Sequence, residues 1–368
     1  MRSEARFVVD THAHITTLYQ PEGHKGMLPP DKVKGWNGLG PPVQTLDNSP
    51  LCLYDMGRYG IDMCLLKPSA IGTTNEAQAA LVEKYPDKFR AFCSNQTQIM
   101  KMAKGEAEWN LDDAADEVDK ALQTGKFIGI GEFVPRDPDF NRMYTMKERL
   151  DEFRVFAELA RKYDVTLDYH EFIFDYEFDH LKLLSRLARE YRDVRIIFCH
   201  AGYSIGAHNR GAAIIREACE IAAMNRNIYL ETGNWVTEFF KIPLSDPNIG
   251  PTRLIWGGDY GNVPQYIVTK PGGDPPSYTN TISIWPNVPY YQIDWWGWAI
   301  EQIRGLKKEV TQDVINLIMG GNAAKIFKLP VPYERMFLSG RPDVFGIYWD
   351  ESVPYIPDEQ IINKDEYE

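Results

Sequence analysis

Eight short apolar runs, separated for the most part by amphipathic helical stretches, constrain this chain more than any other feature. The runs are 6–12 (RFVVDTH), 61–67 (IDMCLLK), 89–95 (FRAFCSN), 127–133 (FIGIGEF), 164–170 (DVTLDYH), 194–200 (VRIIFCH), 227–232 (NIYLET) and 253–259 (RLIWGGD). Most are apolar almost without a break, as strands buried on both faces should be. Helical periodicity falls at 74–85, 111–124, 146–163, 177–191 and 208–224, and Asp87 and Asp193 mark polar turns into the next strand. Eight alternating units predict an α/β fold, a (β/α)8 TIM barrel over residues 1–329. The 368-residue length would otherwise invite two or three domains, but such barrels run large as one unit.

Three stretches exceed a minimal barrel. Residues 18–50, rich in Gly and Pro, predict a long loop after strand one. Residues 260–297 follow strand eight and carry Pro264, Pro271, Pro275, Pro276, Pro286 and Pro289, with Tyr278, Trp285, Tyr290 and Tyr291 among them and Trp295, Trp296 and Trp298 at their end. Both follow C-terminal strand ends, where barrel active sites lie, so a lid or wall over the mouth is expected, or a contact between subunits. The last barrel helix is expected near 296–305. Residues 330–368 form a Pro-rich tail (Pro330, Pro332, Pro342, Pro354, Pro357), expected to pack on the barrel or on a partner subunit of a homodimer or higher homo-oligomer.

Composition narrows the partners. The formal charge is −12 with no dense Lys/Arg block, which argues against nucleic acid or an anionic membrane and leaves a small-molecule substrate. There is no run of about 18 apolar residues to span a membrane. The N-terminus MRSEARFVVD lacks the apolar stretch of a signal peptide. Cys52, Cys64, Cys93, Cys199 and Cys219 are scattered without a CxxC, and buried free thiols in a reducing cytoplasm are expected.

The polar residues cluster where chemistry is expected. Strand one ends in Asp10-Thr11-His12-Ala13-His14, and histidines at i and i+2 on a strand share a face. Strand four ends in Glu132, strand five in His170, strand six in His200 and strand eight in Asp259. Singly, each reads as a hydrogen-bonded structural residue. Together they converge on one barrel mouth. Three His and an Asp make a site for zinc or another divalent transition ion, with coordination left over for water or substrate.

The pieces Asp10-Thr11-His12-Ala13-His14, His170, Phe198-Cys199-His200-Ala201-Gly202, Trp256-Gly257-Gly258-Asp259-Tyr260 and Met319-Gly320-Gly321-Asn322-Ala323-Ala324-Lys325-Ile326-Phe327 resemble, in this order, the amidohydrolase superfamily. The branch is the one that includes aminocarboxymuconate-semialdehyde decarboxylase and related amidohydrolase-2 proteins. The resemblance implies one divalent metal, zinc first and manganese second, held by His12, His14, His170 and Asp259. It implies that His200, opposite the His12/His14 pair across the mouth, acts as an acid/base or polarising group. Glu132 departs from the mononuclear decarboxylases. Its setting, Ile128-Gly129-Ile130-Gly131-Glu132, is similar to the strand-four carboxylate of TatD-like hydrolases, which opens a second metal position using Glu132 and His200. The alternative is a substrate contact or a pair with Arg136 at the rim.

The implied catalytic residues are His200, Asp259 and Glu132. The implied reaction is hydrolysis of an amide, lactone or ester of a small, cyclic or aromatic substrate. Nonoxidative decarboxylation of an aromatic or unsaturated acid is the alternative, and a catalytically silent ligand-binding barrel a third. His24 and His208 lie in or near mouth-facing loops. His180 is expected on a helix surface. Arg58, Arg136 and Arg210 are carboxylate-clamp candidates, and Asn322 is expected to cap the last barrel helix.

Overall fold

The computed structural model of the chain describes residues 7–19, 44–47, 49–68, 73–103, 106–132, 145–170, 179–203, 211–233, 235–261, 266–267, 281–282, 295–332 and 361–362. Eight parallel strands make one sheet in chain order: β1 (Val9–Ala13), β2 (Met63–Leu66), β3 (Phe89–Cys93), β4 (Phe127–Ile130), β5 (Thr166–Tyr169), β6 (Ile196–Phe198), β7 (Ile228–Glu231) and β8 (Leu254–Ile255). The sheet comes nearly full circle. Ala13 bridges to Tyr260 beyond β8, His14 N–H donates to the Tyr260 carbonyl at 2.7 Å, and Tyr260 N–H donates to the His12 carbonyl at 3.1 Å. This is the (β/α)8 barrel that the eight apolar runs predict.

Helices α1 (Ser49–Tyr59), α2 (Asn75–Lys84), α3 (Gln96–Ala103), α4 (Leu111–Gln123), α5 (Met146–Tyr163), α6 (Asp179–Glu190), α7 (Gly211–Met224), α8 (Thr237–Leu244) and α9 (Trp295–Arg304) follow the strands. The five helices read from periodicity are α2, α4, α5, α6 and α7, and α9 lies where the last barrel helix is expected. Periodicity misses α1, α3 and α8. The first sits behind a Gly/Pro-rich stretch, α3 is only 8 residues long, and α8 carries Pro243 inside it. A final helical stretch runs from α10 (Gln312–Asn316) through Leu317–Gly321 into α11 (Asn322–Ile326). Asn322 does not cap it. Its side-chain amide donates to the Pro251 and Leu254 carbonyls, each at 2.7 Å, tying the helix to the start of β8.

Strand alternation sorts side chains into two apolar layers. Cys64 and Leu66, Leu167 and Tyr169, Ile228 and Leu230, and Leu254 pack outward against the helices. Val9, Met63, Leu65, Phe92, Ile197 and Ile255 pack inward with Phe7, Leu317 and Phe327, and Tyr229 lies against them. Continuing these inward rows by two residues at a time reaches Lys67, Asp168 and His170, Cys199, Glu231, and Asp259. A polar layer therefore lies above an apolar plug, at the C-terminal mouth.

The stretches after β1 and β8 are not simple loops. Thr16–Tyr19 pairs antiparallel with Gln44–Asp47, Tyr19 pairs in parallel with Ile267, and Tyr266–Ile267 pairs antiparallel with Thr281–Ile282. The two rim insertions thus share one four-stranded sheet. In the tail, Val331–Pro332 pairs with Ile361–Ile362. His24, His208, Arg136, Arg210, Tyr278, Trp285, Tyr290 and Tyr291 lie outside the described residues. No helix among the described residues is long and apolar enough to cross a membrane.

Candidate metal centre

All six strand-end residues meet in one buried cluster. His12, Glu132, His170, His200 and Asp259 are each at most 3 % exposed, and His14 is 5 % exposed. His12 is the hub. Its Nε2 lies 3.1 Å from His14 Nε2, 3.2 Å from Glu132 Oε2 and 3.7 Å from Asp259 Oδ1. His14 Nε2 is likewise 3.2 Å from Glu132 Oε2 and 3.6 Å from Asp259 Oδ1. Glu132 presents its other oxygen, Oε1, to His170 Nε2 at 2.7 Å. His200 Nε2 is 3.9 Å from Asp259 Oδ2.

The His200 ring stacks on that of His12, centroids 4.7 Å apart. His200 comes from β6 and His12 from β1, strands that are not neighbours in the barrel, and their rings meet at its centre. His200 sits in a tight turn, Cys199–Gly202, where His200 (φ 54°) and Ala201 (φ 49°) adopt left-handed backbone that folds the ring back inward. Such strained residues persist where surrounding structure holds them, and they concentrate at functional sites. Asp259, at φ 52°, is another. Glu132 is 2 % exposed and lies among three imidazoles, and its expected rim partner Arg136 lies outside the described residues. Gly131, at φ 132°, makes the turn that puts it there, and a Cβ on Gly131 would lie 2.3 Å from Asp168 Cβ.

The hydrogen bonds fix which imidazole nitrogens carry lone pairs. His14 Nδ1 faces the Lys67 carbonyl oxygen at 3.1 Å, which can only accept, so Nδ1 carries the hydrogen. His12 Nδ1 faces Glu231 Oε2 at 2.7 Å and is a donor for the same reason. Both Nε2 atoms then direct lone pairs at each other and at carboxylate oxygens. That arrangement is repulsive unless a cation occupies the space between. The donor set, imidazole nitrogens with carboxylate oxygens, fits a divalent transition ion. Groups close enough to share an ion are His12, His14 and Glu132; His12, His200 and Asp259; Glu132, His170 and His200; and His12, Cys199 and Glu231.

Electrostatics agree. Burial and Lys67 both push His12 down, yet the carboxylates of Glu231, Glu132 and Asp259 outweigh them and raise it well above the ordinary histidine range. A bound proton would relieve the same repulsion. Burial opposes ionisation of Asp259, but the imidazoles of His200, His12 and His14 hold it at about 2. Burial takes His200 down to about 4, so that ring is uncharged at neutral pH.

Four buried residues with parts in the site were not singled out from the sequence: Glu231, Lys67, Asp168 and, for its role, Asp10. The first three lie on the inward rows of β7, β2 and β5, two residues beyond Tyr229, Leu65 and Thr166. That parity was the available signal. Asp10 accepts from the backbone N–H of His12 at 2.8 Å and of Gly258 at 2.7 Å, and from the indole N–H of Trp296. It thereby locks β1, β8 and α9 together, and burial raises it to about 6. Arg58 is exposed on α1, over the Tyr59 ring, outside the cluster. His180 is half-buried on α6, and all five cysteines are buried thiols.

The family model described as Amidohydrolase matches residues 9–329, from β1 to just past α11. The chain belongs to the amidohydrolase family. No curated protein matches it by sequence. Among solved structures, an amidohydrolase from Burkholderia multivorans superimposes in two crystals. With HEPES bound the TM-score is 0.52 at 14% identity, and with zinc bound it is 0.53 at 15% identity. Each covers 88% of this chain and 100% of the other. The 4-oxalomesaconate hydratase from Rhodopseudomonas palustris gives 0.48 at 12% identity, covering 88% of this chain and 96% of that one. At such identities the likeness is one of fold.

Proposed function

We propose that this amidohydrolase family member is a metal-dependent hydrolase that directs water onto a C–N or C–O bond of a small amide, lactone or ester. The observation that carries the reading is the pair of Nε2 lone pairs on His12 and His14, facing each other at 3.1 Å beside Glu132 and Asp259. His12, His14, His170 and Asp259 would hold the ion, zinc before manganese; zinc is the ion bound in the Burkholderia multivorans structure. A divalent ion there supplies Lewis acidity, lowering the pKa of a water toward neutrality and polarising a carbonyl. Asp259, kept ionised, would accept the proton of the attacking water at Oδ2, the oxygen turned to His200 and away from His12 and His14. His200, uncharged and facing Asp259 Oδ2, donates a hydrogen bond to the oxygen that gains charge.

One feature favours two metal positions. Glu132 turns Oε2 to His12 and His14 and Oε1 to His170, so its carboxylate spans two ligand groups. Glu132 and His200 would form the second, while His170 stays with the first. Decarboxylation remains the competing reaction, since the same residues could hold a carboxylate and protonate carbon. The test is metal-depleted protein reloaded with zinc or manganese, assayed against lactones, amides and hydroxybenzoates. Hydrolysis products that require the ion support the reading, whereas release of CO2 from a hydroxybenzoate overturns it. Elemental analysis separates one ion per chain from two, and Glu132→Gln should remove the second.

A further inference from the structure

Beneath the ligands lies a second charged layer to which no role has been given. Lys67, at the end of β2, is 2 % exposed, and Asp168 and Glu231 are fully buried. Lys67 Nζ is 2.8 Å from Asp168 Oδ2, 3.7 Å from Glu231 Oε2 and 3.3 Å from Cys199 Sγ. Glu231 Oε2 in turn accepts from His12 Nδ1 at 2.7 Å, and His200 N–H reaches the same oxygen at 3.4 Å. Asp168, Lys67, Glu231 and His12 form one continuous chain of buried contacts that ends at the Nε2 facing the proposed ion.

Such a cluster is a poor way to gain stability. Desolvating two carboxylates and an ammonium costs several kcal/mol per ion, and well-packed apolar side chains would do as well or better. Its geometry has a different use. We infer that Glu231, with Lys67 as its fixed counter-cation, is the positioning residue that sets the His12 tautomer and so aims the His12 Nε2 lone pair at the metal. A carboxylate can only accept, so His12 must keep its hydrogen on Nδ1. Lys67 is well placed to coordinate both histidines of β1. Its ammonium acts on His12 through Glu231, while its backbone carbonyl accepts directly from His14 Nδ1. Gly257 leaves the space Glu231 needs, because a Cβ there would lie 1.9 Å from Glu231 Oε1.

The inference rests on His12 being a metal ligand, and the experiment separates the two. Zinc affinity is measured by chelator competition for the full chain, His12→Ala, Glu231→Gln and Lys67→Met, with circular dichroism to confirm folding. The cobalt-loaded absorption spectrum is recorded for each. Glu231→Gln preserves shape but offers an amide that donates as readily as it accepts. It should weaken zinc roughly 10- to 100-fold, the usual cost of losing such a partner, and shift the cobalt spectrum. Lys67→Met leaves the carbonyl contact to His14 intact and, by removing the counter-cation of Glu231, should shift the cobalt spectrum as Glu231→Gln does. Combining the two changes should add little to Glu231→Gln alone, since they act through one path.

Wild-type affinity and an unchanged cobalt spectrum in Glu231→Gln, with loss of metal in His12→Ala, overturn the positioning role alone. Retention of metal by His12→Ala overturns the metal-site reading itself. Proton–nitrogen correlation spectra of the zinc-loaded wild-type protein give a test that no folding failure can blunt. They should show His12 protonated at Nδ1, and a hydrogen on Nε2 instead would refute the inference.

Discussion

At the residue scale, the site works by pairing the Nδ1 atoms of His12 and His14 with groups that can only accept. His200 differs from the other histidines because it meets Asp259 only at 3.9 Å and is held by backbone contacts, its carbonyl accepting from the Trp235 indole at 3.1 Å. His200→Asn should therefore keep metal bound but lower kcat on the order of 10²-fold, as loss of an acid/base or polarising group does. Loss of metal in that variant, read by elemental analysis, would instead make His200 a ligand of the second position. Asp10 makes a separate prediction. Three donors converge on its carboxylate, so Asp10→Ala should destabilise the fold by about 3 kcal/mol, leaving buried N–H groups unpaired, as measured by chemical denaturation.

At the element scale, strands deliver the ligands and short distortions aim them. Strand β8 leaves the ladder after Ile255, and Gly257 then passes against Glu231 and His12. Gly257→Ala should cost about 1–3 kcal/mol of stability by overpacking, and it should weaken zinc binding because Glu231 is the atom group displaced. A variant losing stability with unchanged zinc affinity would break that link. Helix starts make a contrasting case. Thr145 and Glu148 form a reciprocal capping box at the start of α5, Thr145 N–H donating to Glu148 at 2.8 Å and Glu148 N–H to Thr145 at 3.2 Å. Thr145→Ala should cost about 1 kcal/mol, with zinc affinity unaltered.

At the scale of the whole molecule, the barrel concentrates carboxylates that its own cations do not balance. Glu132, Asp168, Glu231 and Asp259 are all buried at one mouth, and Lys67 is the lysine among the described residues buried with them. In the metal-free protein His12 is raised, so its bound proton stabilises the fold below the ordinary histidine pKa. That contribution fades as pH rises through the folded value. Metal must displace that proton, so binding should release protons and tighten with rising pH. The rise in Tm on adding zinc should accordingly be larger at about pH 8 than at about pH 6, as read by calorimetry. An equal rise at both would mean that no proton is displaced.

The eight-strand barrel was legible in sequence because strands buried on both faces must be apolar throughout, and their spacing leaves room for at least one helix between neighbours. The strand-end positions of His12, His14, Glu132, His170, His200 and Asp259 were legible for the same reason: a closed parallel barrel sends every C-terminal strand end to one mouth. What the sequence did not reveal was how these residues share the space. That His200 stacks on His12, that Glu132 offers its two oxygens to different imidazoles, and that Lys67, Asp168 and Glu231 support them from below depend on contacts between residues far apart in the chain. Lys67 and Glu231 each read locally as an ordinary charged residue closing a strand. Only closure of the barrel puts them 3.7 Å apart, out of water, where charge, hydrogen-bond polarity and shape must all be satisfied together.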